Sequence, residues 1–74
     1  MHRQDLIRMA NQVAQFFDVY PEEQGVSEVT KHLRSFWDPR MRTAIIAHLE
    51  AGGSGLDPAV REAIGQLKDA PAKN

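Results

Sequence analysis

Phe36-Trp37-Asp38-Pro39-Arg40-Met41-Arg42 is the stretch from which the fold is read. Asp38 precedes a proline, which drives it toward the extended backbone region that a helix N-cap requires. Pro39 then occupies the first helical position, where its missing N–H costs nothing. Phe36 and Trp37 close an apolar stripe arriving from the N-terminal side, so one helix ends and the next begins within a rigid bend rather than a linker. Arg40 and Arg42 fall in the first turn of the new helix, at the positive end of its dipole, where each cation is disfavoured by roughly 0.3–1 kcal/mol. Asp38 offsets part of that, and Arg42 is placed to stack over Trp37. A solvated basic turn accounts for the pair; the sharper reading is two arginines waiting for a carboxylate on another protein.

Outward from the bend, apolar residues recur at helical spacing. From Leu6 to Phe17 they are Leu6, Ile7, Met9, Ala10, Val13, Ala14, Phe16 and Phe17, filling about half the helical wheel and making this the surest helix. An arc that broad suits a four-helix domain wrapping it on two sides. The alternative is that its edges, Ile7 on one side and Phe16 on the other, lie against a partner protein. Tyr20-Pro21 marks the stop. Val26, Val29, Leu33, Phe36 and Trp37 give the next stripe, whose start falls between Glu22 and Ser27. The third helix runs from Pro39 to about Ala51 and buries Met41, Ala44, Ile45 and Leu49, with a partly buried His48 on the same face. Gly52 suits the left-handed position after its end. Asp57-Pro58 repeats the cap-and-proline device, and Val60, Ile64 and Leu67 form a short fourth stripe. Aligned from their caps, the two helix starts share Asp, Pro, Arg, Ala and Ile. Residues 68–74 carry too little apolar content to be held and are expected to fray. The expected fold is therefore all-α, a small bundle of three long helices plus a short fourth, with one domain over residues 1–67 and a disordered tail over 68–74.

Composition narrows the function. A chain of 74 residues buries only about 60% of its unfolded surface, which leaves little room for a large active-site cleft. It has no cysteine, so disulfides, thiolate nucleophiles, iron–sulfur ligation and the usual structural zinc sets are not available to it. Its three histidines are far apart in sequence, which argues against a metal site. A net charge of -1 with both signs interspersed offers no broad field for a phosphate backbone. The N-terminus leads into an amphipathic segment, not an apolar signal region, and no apolar run reaches membrane length; a cytoplasmic location without membrane contact is expected.

Glycines at 52, 53 and 55 invite a phosphate-loop reading, but the Gly-Lys-Ser/Thr that should follow a strand is missing. An enzyme built on His48, with Glu50 or Asp57 orienting it, fails on spacing, because residues two apart on a helix face different ways. The alternative function is a small helical nucleic-acid-binding domain, with the helix from Pro39 as recognition helix, or another protein-interaction domain; near-zero net charge opposes the first.

Three blocks carry a resemblance: Met9-Ala10-Asn11-Gln12-Val13-Ala14-Gln15-Phe16-Phe17, His32-Leu33-Arg34-Ser35-Phe36-Trp37-Asp38-Pro39-Arg40-Met41-Arg42, and Ala51-Gly52-Gly53-Ser54-Gly55-Leu56-Asp57-Pro58-Ala59-Val60. In that order and spacing the chain resembles the delta subunit of the soluble, molybdenum-dependent, NAD-linked formate dehydrogenases of bacteria. The resemblance implies a non-catalytic accessory subunit that binds the catalytic alpha subunit, and with it a cofactor-insertion chaperone, stabilising the complex or aiding molybdenum-cofactor insertion. It also implies that bis-molybdopterin guanine dinucleotide, iron–sulfur clusters, FMN and NAD belong to the rest of the complex and that this chain holds none of them. No catalytic, cofactor-binding or metal-binding residue is carried over. The expected partner interface is the bend itself: Phe36, Trp37, Asp38, Arg40, Met41 and Arg42, since Trp and Arg most often dominate interface energetics.

Overall fold

The first helix of the computed structural model, which describes residues 2–69, starts three residues before the apolar periodicity does. Helix α1 spans Arg3–Phe16, α2 Glu22–Phe36, α3 Pro39–Glu50 and α4 Pro58–Asp69. The fold is all-helical, and no strand occurs among the described residues. Helix α1 has no side-chain cap, but Asp5 in its first turn complements the dipole. Small residues Ala10 and Ala14 follow Leu6 along its buried line, so neighbouring helices approach its axis closely.

The chain turns through Asp18–Tyr20, and Pro21 sets the entry to α2, which begins at Glu22, the earliest start the sequence allowed. Gly25 explains the unusual composition of that first turn. A Cβ at this position would lie 3.2 Å from the carbonyl oxygen of Phe17, so α2 starts hard against the end of α1. Glu22 and Glu23 sit at the dipole's positive end in place of a capping side chain.

Helix α2 packs most extensively on α4. Val26, Val29 and Leu33 from one meet Val60, Ala63, Ile64 and Leu67 from the other, joined in one core by Leu6, Trp37, Ile45 and Leu56. Each fully buried Leu or Ile contributes roughly 1.5–3 kcal/mol relative to exposure. The core's one buried polar side chain among the described residues is Thr30. Its Oγ1 donates to Val26 O in its own helix at 2.9 Å and also lies 3.3 Å from Ala63 O and 3.4 Å from Gln66 Oε1 across the α2–α4 contact.

Helix α3 lies at the periphery. Only Ile45 is fully buried there, while Met41, Ala44 and Leu49, expected inside, are half-buried against the core. Its end has a Schellman geometry: Gly53 N–H donates to His48 O at 2.9 Å and Gly52 N–H to Leu49 O at 3.0 Å, with both glycines at positive φ.

Two expectations about the C-terminal part need correcting. The expected fourth helix is present, and residues 68 and 69, assigned from sequence to the tail, continue it. Lys68 Nζ reaches Glu50 at 2.8 Å, and Leu67 is buried. Residues 70–74 of the expected tail lie outside the described residues. Asp57 also fails to cap α4 with its side chain: among the described residues no hydrogen bond from the first turn reaches its carboxylate. The Asn11 side chain fastens this corner, its Oδ1 accepting from the Asp57 N–H at 3.0 Å.

Candidate functional site

The bend residues divide into those that face inward and those that face outward. Asp38 acts as the sequence implies, its Oδ1 accepting from Met41 N–H at 2.9 Å, in extended geometry with Pro39 behind it. Trp37 is only 5% exposed and packs in the core; Met41 is half-buried. Arg42 does not stack over the indole. Its Nη1 donates to Trp37 O and, at 3.2 Å, to Arg34 O, filling acceptors that the end of α2 leaves unmatched. That leaves Phe36, 74% exposed, and Arg40 pointing outward.

Phe36 belongs to a larger feature. Its ring lies 4.8 Å from His32, His32 lies 6.3 Å from Phe17, and Phe17 meets Phe16 edge-on at 5.0 Å and stacks with Tyr20 at 6.1 Å. Five rings thus run continuously from the C-terminal end of α2 to the C-terminal end of α1. Phe16 is 75% exposed, and Val19 beside the turn is 86% exposed. Under the rings a groove of about 400 Å3 opens between α1 and α2, lined by Met9, Gln12, Val13, Phe16, Phe17, His32 and Trp37. None of these residues carries a permanent charge. The antiparallel pairing of α1 and α2 builds the edge, because their stripes are wider than the surface that α3 and α4 cover.

Phe16 was legible in the sequence as an edge of the over-wide α1 stripe; Val19 and Tyr20, lying in the turn, gave no periodic signal. The histidine and glycine features resolve as internal fastenings. His48 is half-buried with Nε2 2.7 Å from Ser54 O, and because a carbonyl only accepts, that nitrogen carries the proton. Arg61 Nη2 donates to Gly52 O at 3.1 Å and Gly53 O at 2.9 Å. The glycine loop's carbonyls are therefore clamped from two sides. A polar cleft of about 680 Å3 beside the loop is lined in part by Arg3, Arg8 and His48, but Arg8 is paired with Asp5 at 3.2 Å. Among the described residues no three His, Asp or Glu side chains converge as a metal site, and no helix is long and apolar enough to cross a membrane.

The two helix starts that share Asp, Pro, Arg, Ala and Ile also share a contact. Arg42 and Arg61, each four residues after its aspartate, both reach back to carbonyls of the segment just before their own helix. Ile45 and Ile64, the matching isoleucines, are both fully buried.

A family model described as the NADH-dependent formate dehydrogenase delta subunit, FdsD, matches residues 5–64. No curated protein and no solved structure gives a significant match.

Proposed function

The chain belongs to the FdsD family of formate dehydrogenase delta subunits, and from that premise we propose that it is a non-catalytic accessory subunit that binds the catalytic subunit of the complex. The family match over residues 5–64, most of the chain, is the observation that carries this reading. Binding stabilises the complex or assists insertion of its molybdenum cofactor, in a cytoplasmic enzyme. Outward-facing Phe36 and Arg40 are the members of the bend through which the partner is held, with Trp37, Asp38, Met41 and Arg42 shaping the bend from within.

The molybdopterin cofactor, iron–sulfur clusters, FMN and NAD are assigned to the other subunits. A chain without cysteine has no thiolate for a cluster. Its polar cleft also offers a poor seat for a dinucleotide, since one of its arginines is already neutralised and its histidine is engaged with Ser54.

The test is to produce the formate dehydrogenase subunits with and without this chain and measure molybdenum per catalytic subunit, formate oxidation and subunit co-purification. Omission is expected to lower molybdenum occupancy or complex yield, while the chain alone oxidises no formate. Catalytic subunit obtained fully loaded and equally stable in its absence would overturn the proposal.

A further inference from the structure

Resting on that reading, we infer that the polar cleft between α1 and the loop joining α3 to α4 receives an aspartate or glutamate side chain of another formate dehydrogenase subunit, a second contact that shares no residue with the bend. The loop offers donors and withholds acceptors. Gly52 O and Gly53 O accept from Arg61, Ser54 O from His48 and Gly55 O from Asn11, so four successive carbonyls are matched by side chains of three helices. The N–H groups of Ser54 and Gly55 and the Ser54 hydroxyl have no hydrogen-bond partner among the described residues, and both residues line the cleft. A run of backbone donors whose carbonyls are already matched calls for an acceptor, and an anion is the acceptor such runs favour.

Charge on the opposite wall decides which anion. Arg3 and Arg8 of α1 line the cleft, and among the described residues no carboxylate does. Asp5 neutralises Arg8 at 3.2 Å, while Arg3 is exposed and without an ion-pair partner among the described residues. One uncompensated guanidinium matches one carboxylate; a phosphate monoester, with about 1.5–2 negative charges, would stay partly uncompensated.

Size and the remaining wall decide what carries that carboxylate. At about 680 Å3 the cleft is far larger than a small free acid requires. Gln4, Gln12 and Gln15 are exposed on the α1 wall and lack hydrogen-bond partners among the described residues. Their amides both donate and accept, which is what the backbone on either side of an acidic side chain needs.

The experiment uses the full chain, labelled with 15N, and the formate dehydrogenase complex assembled without it. At constant ionic strength, acetate is expected to shift the Ser54 and Gly55 amide resonances and chloride is not. Arg3→Glu and Ser54→Glu are each expected to raise Kd for the complex about tenfold, the loss of one charge-assisted contact. Lys31→Glu, at an exposed position of α2, changes net charge as much as Arg3→Glu does and should raise Kd by less than about twofold. Arg3→Lys puts an amine at the cleft that a carbodiimide joins to a touching carboxylate, and peptide mapping is expected to find that bond on an aspartate or glutamate of another subunit. Amides indifferent to acetate, an equal loss of affinity in Lys31→Glu, unchanged Kd in both cleft variants, or coupling of position 3 only to a second copy of the chain would each overturn the inference and leave the accessory-subunit reading standing. Failure of the wild-type chain to bind the complex would remove both.

Discussion

Asn11 and Asp57, 46 residues apart in the chain, are joined by a 3.0 Å hydrogen bond in which the Asp57 backbone N–H donates to Asn11 Oδ1. The same amide donates through Nδ2 to Gly55 O at 2.9 Å, so one side chain of α1 grips both sides of the turn leading into α4. Asn11→Ala is expected to cost about 1–2 kcal/mol, two modest hydrogen bonds. Asn11→Asp keeps the acceptor, loses the donor and should fall between. Urea unfolding followed by far-UV circular dichroism measures both, and equal loss in the two variants would assign the whole effect to the Gly55 bond.

Gly65 and Gly25 both interrupt helices, but only one needs to be glycine. Nothing lies within 4 Å of a Cβ built at Gly65, so Gly65→Ala should stabilise by about 0.5–1 kcal/mol, the helix-propensity difference. At Gly25 the new methyl meets the Phe17 carbonyl oxygen at 3.2 Å, and the gain should vanish or reverse. The pair is compared by thermal unfolding, and a gain at Gly25 as large as at Gly65 would show that the α1–α2 turn yields freely.

Arg40 and Arg42 separate binding from folding. Arg40→Glu is expected to change stability by less than about 0.5 kcal/mol, as surface substitutions do. Arg42→Glu abandons the carbonyls of Arg34 and Trp37 and should cost about 1–2 kcal/mol. Co-purification with the complex is therefore a clean test of the bend only for Arg40; denaturant midpoints of the two variants check the distinction.

Trp37 and Phe36, adjacent in sequence, should behave oppositely. Truncating buried Trp37 to Ala removes core volume and is expected to cost about 3–5 kcal/mol, enough to unfold so small a domain. Phe36→Ser leaves the core intact and should keep the denaturation midpoint within experimental error. A similar loss of stability in both would place the Phe36 ring inside the folded core.

The helices were legible because Leu6, Val13, Val29, Leu33, Ile45 and Ile64 repeat at a single period, and because Asp38-Pro39 declares a boundary in two residues. What periodicity cannot show is where a long side chain ends. Arg42 and Arg61 look like surface cations in sequence, yet each finds carbonyls that only the folded turn brings within reach. Asn11 sits on the polar half of α1 and gives no sign of a partner more than forty residues away. Asp57 copies the capping signature of Asp38, but only the Asp38 carboxylate accepts from a first-turn N–H. The bend stands out in the sequence for its rings and arginines, yet Trp37, Asp38 and Arg42 hold the bend itself together. The aromatic edge depends on how α1 lies beside α2, and only Phe16 hinted at it.

Thr30 is the polar point in the buried contact between α2 and α4. Its hydroxyl has one hydrogen and three oxygens around it, two of them on α4, in a contact otherwise made of aliphatic side chains. The hydrogen stays within α2, on Val26 O at 2.9 Å, so the hydroxyl is satisfied before α4 arrives and the two helices meet through aliphatic surface. Its polarity is thus discharged locally, and the fit of the apolar side chains alone sets how α4 lies along the helix that flanks the ring-bearing edge.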